Sequence, residues 1–257
     1  MADRPFQLRS YITYWLDAVD EHSLHSPFFY DFYTRLVKPK RAGRMASIEL
    51  LRKKLLKDRR IISEEDYGSR KSGRQRSVSE IARTTLTPGK FSENYHRIIS
   101  DIKGKTILEL GTSLGINTLY LAAAKETVVT TFEGSGAIAD IASITFEFGA
   151  ARNIKLIRGN IDTTLPAQLH AIRRIDFALI DANHRHEATV RYFEMLLPRI
   201  RETSVVVIDD IHSSKEMQRA WLFAPDHRLV YASADLFRCG ILFFDPSLNK
   251  QHVILQV

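Results

Sequence analysis

Acidic and amide side chains close four consecutive apolar runs of this sequence. The runs are rich in β-branched residues and short, which is typical of buried strands. In a parallel sheet the carboxyl ends of the strands meet at one edge, so these side chains are expected to converge on one ligand. The residues concerned are Glu133, Asn160, Asp181 and the pair Asp209 and Asp210.

A glycine turn precedes the first of these acids. Residues 107–122 read as a strand, a turn from Gly111 to Gly115 and the start of an amphipathic helix. Such a turn aims backbone N–H groups at a ligand. A dinucleotide fingerprint would carry glycine at Ser113 and Ile116, so a nicotinamide cofactor is disfavoured. Glu133 stands where an acid can accept hydrogen bonds from both hydroxyls of a ribose.

In these features residues 106–245 resemble the class I S-adenosylmethionine-dependent methyltransferases. The similarity is greatest to a bacterial family with five marker segments. These are E-L-G-T-S-L-G at 109–115, D-A-N-H at 181–184, D-D-I-H at 209–212, H-S-P-F at 25–28 and D-Y-G at 66–68. The resemblance implies S-adenosylmethionine as the cofactor and does not specify the substrate.

The resemblance also assigns cofactor contacts. The turn would hold the methionine end of the cofactor, Glu133 its ribose, and Asn160 and Ile161 would flank its adenine. Glu109 resembles the acidic residue that braces this turn in the family. The cofactor-binding set implied in this way is Glu109, Gly111, Thr112, Ser113, Gly115, Glu133, Asn160, Ile161 and Asp181.

The acids near the end of the chain resemble a metal site. Metal-dependent catechol-type O-methyltransferases place an Asp after the fourth strand and an Asp-Asn or Asp-Asp pair after the fifth. The resemblance implies that Asp181, Asp209 and Asp210 hold a Mg²⁺ that binds two substrate oxygens, and oxygen ligands suit this ion. The alternatives are that Asp181 contacts the cofactor's amino group and that Asp209 caps the following helix.

Two histidines are the candidate catalytic residues. A metal would lower the pKa of a bound hydroxyl, and His184 or His212 could then take its proton. The catechol enzymes have a lysine near the position of His184, so the chain departs from their pattern there. For His212, which follows a predicted strand, a structural hydrogen bond is the alternative role.

Positive charge is concentrated in one segment. Residues 38–76 hold 14 Lys and Arg against 5 Asp and Glu, a net charge of +9, whereas the whole chain carries +7. Nucleic-acid grooves usually pair such charge with stacking aromatic residues, and Tyr67 is the only aromatic residue here. A solvated helix face followed by a loop at 64–75 is the favoured interpretation, and an RNA contact stays open.

Composition predicts a cytoplasmic protein. The 257 residues, 44% hydrophobic, include no run long enough to span a membrane and no secretory leader. The single Cys239 cannot form a disulfide within the chain and is expected to be a small buried residue. The expected partner is a small-molecule substrate, and a homodimer is left open.

The expected fold is an α/β, Rossmann-like, seven-stranded and mostly parallel sheet with helices on both faces. The last strand is antiparallel in the resembled family. Residues 1–103 are predicted to form a helical accessory or lid segment with a basic loop at 38–76, and residues 104–257 to form the methyltransferase domain. Short strands are predicted at 228–231, 240–244 and 253–255.

The expected activity is methyl transfer from S-adenosylmethionine, favouring oxygen of a small molecule and with Mg²⁺ assistance as an option. The alternatives are an RNA-directed or metal-independent methyltransferase, or a cofactor-binding protein without catalysis. An enzyme that methylates base amino groups would carry an Asn/Asp-Pro-Pro-aromatic segment near the fourth strand. The segment D-A-N-H at 181–184 lacks the prolines and the aromatic residue.

Overall fold

The structure is a computed structural model that describes residues 4–39, 45–64 and 74–257. The chain forms two compact units. The split unit comprises residues 1–42 and 174–257, and the central unit comprises residues 43–173. The predicted boundary between residues 103 and 104 falls inside the central unit. The predicted lid role of the N-terminal segment stays a prediction.

The N-terminal part of the split unit is helical, as its apolar periodicity predicts. Ser26 caps the second helix, because its hydroxyl accepts a hydrogen bond from the backbone N–H of Phe29, and Pro27 is its first residue. The elements here are α1 (Arg4–Asp17), α2 (Pro27–Phe32) and a π-helical turn (Tyr33–Val37).

The central unit contains three parallel strands with helices packed around them, and a small antiparallel hairpin. Strand register places Glu109 opposite Thr131 and Glu133 opposite Arg158. Its elements are α3 (Ala46–Leu55), β1 (Ile61–Glu64), β2 (Arg74–Ser77), α4 (Val78–Thr85), α5 (Gly89–Asp101), β3 (Thr106–Leu110), α6 (Ile116–Ala122), β4 (Val128–Glu133), α7 (Gly136–Phe148), β5 (Ile154–Arg158) and α8 (Ile161–Leu169).

The C-terminal part of the split unit holds five strands. In it β6 and β7 pair in parallel, β9 runs antiparallel to both β7 and β8, and β10 pairs in parallel with β8. Its elements are β6 (Phe177–Ile180), α9 (His186–Leu196), a 3₁₀ turn (Leu197–Arg199), β7 (Val205–Asp209), α10 (Lys215–Asp226), β8 (Ala232–Asp235), β9 (Cys239–Phe243) and β10 (Gln251–Ile254).

The predicted α/β, Rossmann-like and mostly parallel architecture is confirmed, with two corrections. The main sheet has eight strands instead of seven, three in the central unit and five in the split unit. The strand predicted at 228–231 is wrong. The backbone N–H of Val230 donates to the carbonyl of His227, which closes a turn there, and β8 begins only at Ala232.

Burial follows the apolar pattern in both units. Every residue of β6, β7 and β9 is buried, which accounts for the continuous apolar runs in the sequence. Cys239, in β9, is buried and has a free thiol, as expected.

No helix in the described part of the chain is both long and apolar enough to cross a membrane. The predicted loop at 64–75 falls mostly on residues 65–73, outside the described residues.

Candidate functional site

The glycine turn follows β3 in the central unit and depends on left-handed backbone. The φ angles are +104° at Gly111, +49° at Ser113 and +82° at Gly115. Glycine adopts such angles without strain. At Gly115 space also requires glycine, because an added Cβ would lie 2.6 Å from Cε1 of Phe146. The turn therefore has little tolerance for side chains at this position.

The backbone N–H groups of residues 111–117 differ in their partners. That of Ser113 donates to the carboxylate of Glu133 at 2.9 Å, and that of Gly115 donates to the carbonyl of Thr112 at 3.0 Å. Those of Gly111 and Thr112 donate to the carbonyl of Phe132 at 3.1 and 3.0 Å, which ties the turn to β4. Three others have no hydrogen-bond partner among the described residues, and they belong to Leu114, Ile116 and Asn117. Buried N–H groups nearly always find a partner. This turn can therefore donate to a bound ligand.

Glu133, at the end of β4, lies beside this turn. Its Oε2 accepts from the backbone N–H of Ser113 at 2.9 Å, and its Oε1 accepts from that of Ser135 at 2.9 Å. A carboxylate has acceptor sites on both of its oxygens. The carboxylate is thereby oriented by the backbone, and a vicinal diol is a ligand of suitable chemistry.

Glu109 lies beneath the turn and is fully buried. Its carboxylate accepts from Nδ2 of Asn117 at 2.9 Å, Oγ1 of Thr118 at 2.5 Å and Oγ1 of Thr131 at 2.7 Å. Burial raises the pKa of Glu109 to about 7, and these three donors oppose that rise. Glu109 connects β3, β4 and the first turn of α6, an arrangement that suits a bracing role.

Three other predicted cofactor residues also lie in the central unit. Thr112 is buried, and its hydroxyl is 2.6 Å from that of Thr131. Asn160 caps α8, because its Oδ1 accepts from the backbone N–H of Asp162 at 2.9 Å. Ile161 is the first residue of that helix. The predicted contacts of Asn160 and Ile161 with adenine stay predictions.

The split unit brings Asp181, His184 and Asp210 together. One oxygen from each carboxylate and one ring nitrogen of His184 all lie within 4.8 Å of one another. Asp181 follows β6 and Asp210 follows β7, its parallel neighbour. The φ angles of +32° at His184 and +53° at Asp210 are left-handed, a conformation that costs non-glycine residues free energy and often marks functional sites.

Asp209 is outside this group. It is the last residue of β7 and fully buried, and its Oδ2 lies 2.9 Å from Nη2 of Arg238. Burial raises the pKa of Asp209, and the Arg238 guanidinium opposes that rise. The same guanidinium nitrogen is 3.5 Å from Oδ1 of Asp210. Of the three predicted metal ligands, the structure therefore groups two, and the third pairs with an arginine.

His212, the other candidate base, has different partners. Its Nε2 is 2.7 Å from Oδ2 of Asp235, and its ring stacks on Phe237. With Asp235 it lines a cavity of about 380 Å³, to which α1 contributes Tyr14. Helix α1 is tied to this region by a 2.9 Å hydrogen bond from Nε2 of Gln7 to the carbonyl of Ser213.

Sequence reasoning missed Arg238 and Asp235. The apolar pattern predicts a strand at 240–244 but no register between it and the strand that ends at Asp209. In the structure β9 pairs Cys239 with Asp209, which brings Arg238 to the end of β7. The only sequence signal for Arg238 was the position of an arginine directly before an apolar run.

The basic segment is described in part, and several of its cations have partners within the central unit. Arg52 pairs with Glu49 at 2.9 Å and donates to the carbonyl of Thr87. Arg60 pairs with Asp58 at 2.6 Å. The partly buried ion pair of Arg52 stabilises the packing of α3, which lies inside the predicted basic loop. Residues 40–44 and 65–73 of that loop lie outside the described residues.

Comparison with known proteins finds a domain match in this part of the chain. Residues 108–211 match the family model of a methyltransferase domain, a range that includes the glycine turn, Glu133 and the Asp181, His184 and Asp210 group. The chain has a methyltransferase fold. No curated protein sequence matches it.

Solved structures with the methyltransferase fold resemble the chain at low sequence identity. An O-methyltransferase from Bacillus cereus in complex with S-adenosylhomocysteine has a TM-score of 0.58 and 16% identity, over 83% of this chain and 96% of that one. A methyltransferase from Podospora anserina bound to S-adenosylhomocysteine has a TM-score of 0.56 and 13% identity, over 80% and 98%. The O-methyltransferase TomG from Streptomyces achromogenes, involved in tomaymycin synthesis, has a TM-score of 0.54 and 17% identity, over 62% and 82%.

Proposed function

We propose that this protein is an S-adenosylmethionine-dependent methyltransferase that methylates an oxygen of a small molecule. The observation that carries the proposal is Glu133, oriented by the backbone N–H groups of Ser113 and Ser135 beside a glycine turn with unpartnered N–H groups. The match of residues 108–211 to a methyltransferase domain supports it. So do the complexes of similar folds with S-adenosylhomocysteine and S-adenosylmethionine.

Each part of the turn has a task in this proposal. The N–H groups of Leu114, Ile116 and Asn117 would donate to the cofactor, and Glu133 would accept from the two ribose hydroxyls. Glu109 would hold the turn in place from below without touching the cofactor. Asn160 and Ile161 would flank the adenine.

The acceptor side of the reaction falls to the split unit. When bound, S-adenosylmethionine supplies a methyl group activated by a sulfonium, and the acceptor hydroxyl must lose its proton as it is methylated. Asp181 and Asp210 would hold a divalent cation, which would supply positive charge that favours the ionised form of the acceptor hydroxyl. His212, oriented by Asp235, is the base that this arrangement favours.

A small-molecule acceptor is favoured over RNA. In the described part of the basic segment, Arg52 and Arg60 already pair with carboxylates of the same unit. An RNA-binding groove would be expected to leave such cations available for phosphates. A mobility-shift assay at low and moderate salt tests this choice, because salt-dependent binding of RNA would reverse it.

Calorimetry with S-adenosylhomocysteine tests the cofactor assignment. Glu133→Gln keeps the shape of the side chain but removes the charge that would accept from the ribose. We expect its affinity to fall at least about tenfold, since hydrogen bonds to a charged group contribute about 1.5 to 3 kcal/mol each. Glu126→Gln is the matched control, because Glu126 is exposed and forms only surface ion pairs in the same unit.

The two variants separate the ribose role from general effects. Equal affinities for Glu133→Gln, Glu126→Gln and the unchanged protein would contradict the assignment of Glu133. We expect Glu133→Gln to weaken the binding of S-adenosylmethionine and S-adenosylhomocysteine about equally, because both ligands carry the same ribose.

The acceptor class is a separate question. Formation of S-adenosylhomocysteine with a panel of phenols and vicinal diols would identify it.

A further inference from the structure

The group of Asp181, His184 and Asp210 contains one nitrogen donor where the sequence predicted only oxygen donors. Nε2 of His184 lies 3.8 Å from Oδ1 of Asp181. Two ligands of one ion, each about 2.1 Å from it, lie roughly 3 Å apart when adjacent and roughly 4.2 Å apart when opposite. The observed separation falls between these values, so the imidazole and the carboxylate can share an ion.

The exclusion of Asp209 makes His184 the third donor. The Asp209 carboxylate is fully buried against Arg238, whereas the His184 side chain is 44% exposed and that of Asp210 is 34% exposed. A cation entering from solvent would therefore meet Asp181, His184 and Asp210. The left-handed backbone at His184 and Asp210 is part of the geometry that gathers the three side chains.

Donor chemistry decides which cation such a set prefers. Mg²⁺ is bound through oxygen atoms and keeps much of its water, whereas imidazole nitrogen suits first-row transition metals. We propose that Asp181, His184 and Asp210 form a site for a divalent transition-metal ion, with His184 as a ligand and not as a base. The site would discriminate against Mg²⁺ because one of its three protein ligands is a nitrogen.

This assignment has a consequence for the methyl acceptor. Three protein ligands leave further coordination positions open, as in catalytic metal sites. An acceptor with two neighbouring oxygen atoms can fill two of them. This role of the ion rests on the proposed methyltransferase function, whereas the metal site itself does not depend on it.

Metal titrations of the full-length protein test the site directly. Calorimetry with CoCl₂ and with MgCl₂ should give a Co²⁺ affinity at least about tenfold higher than that for Mg²⁺. The ¹H NMR spectrum of the Co²⁺ form should contain strongly shifted imidazole ring protons. His184→Asn should remove those signals and most of the preference for Co²⁺. His170→Asn, at an exposed histidine of the central unit, should leave both unchanged.

The outcomes are distinct. Bound Co²⁺ without shifted imidazole signals, an equal affinity for Mg²⁺, or unchanged Co²⁺ binding in His184→Asn would each overturn the proposal. Failure to bind either metal would overturn it as well. A protein that binds Co²⁺ through His184 but does not bind S-adenosylhomocysteine would retain this site and contradict the proposed function instead.

Discussion

In the central unit the polar side chains beneath the glycine turn bond to one another, whereas in the split unit three ionisable side chains face one another after two neighbouring strands. Glu109 receives three side-chain hydrogen bonds and is fully buried. Asp181, His184 and Asp210 instead bring their donor atoms within 4.8 Å while remaining partly exposed. The polar side chains beneath the turn brace it, and the three side chains of the split unit place donor atoms where one cation could contact all of them.

The two regions differ in whether backbone or side-chain groups provide the contacts. The cofactor turn is made largely of backbone, so glycine φ angles and a buried brace specify it. The group of Asp181, His184 and Asp210 is made of side chains, so its chemistry depends on which of several adjacent residues is exposed to solvent. Substitutions in the first region should therefore change folding and cofactor binding together. Substitutions in the second should separate stability from ligand binding.

The largest effect is expected at the turn. Gly115→Ala places a Cβ 2.6 Å from Phe146 at a φ of +82°. The left-handed strain and the clash together should lower the free energy of unfolding by about 2 to 4 kcal/mol and greatly weaken cofactor binding. Urea denaturation and calorimetry measure the two effects.

Gly136→Ala is the matched control for that variant. Gly136 is the first residue of α7, and an added Cβ would meet nothing within 4 Å. Its stability should stay unchanged or rise by up to about 1 kcal/mol. Equal stability of the two variants would show that the turn tolerates a side chain and would remove the contrast between the regions.

An intermediate effect is expected for the neighbouring acids of the split unit. Asp209→Asn removes the buried negative charge that pairs with Arg238. It should lower the free energy of unfolding by about 2 kcal/mol. Asp210→Asn, at a partly exposed side chain, should change stability by less than about 0.5 kcal/mol and abolish cation binding. Urea denaturation and metal titration compare them. Equal stability losses would mean that the two aspartates do not have separate roles.

The smallest effect is a pH dependence from Glu109. Its pKa is about 7 in the folded protein against 4.5 for the unperturbed group, so its contribution to stability is fully present below pH 4.5. That contribution falls as pH rises through 7, by about 1 kcal/mol between pH 6 and pH 8.

Glu109→Gln does not titrate and should lack this part of the pH dependence. Urea denaturation of both proteins at pH 6 and pH 8 gives the change in the free energy of unfolding with pH for each. The difference between these two changes is the contribution of Glu109. The variant should also be less stable at pH 6, because its amide group faces three hydrogen-bond donors. An identical pH dependence of the free energy of unfolding in the two proteins would show that Glu109 keeps an ordinary pKa.

The backbone part of the site was predictable from sequence because glycine spacing and apolar runs report on local conformation. The turn at Gly111 to Gly115, the end of β4 at Glu133 and the buried Cys239 follow from such patterns. Local patterns do not show which of Asp209 and Asp210 joins the group with Asp181 and His184. Successive strand residues point to opposite faces, and a left-handed residue after the strand redirects the chain.

Long-range pairing was also beyond the sequence. The place of Arg238 depends on the antiparallel register of β9 against β7, and no local pattern fixes a register between segments about 30 residues apart. The expected count of seven strands came from the resembled family and not from the sequence pattern. The strand predicted at 228–231 was wrong because a turn at His227 delays β8 until Ala232.

A thermal-shift measurement tests the central claim, that the glycine turn binds S-adenosylmethionine. S-adenosylhomocysteine at about one hundred times its Kd should raise the melting temperature by at least about 5 °C, and NADH at the same concentration should leave it unchanged. Stabilisation by NADH, or no shift with S-adenosylhomocysteine up to about 1 mM, would contradict the account.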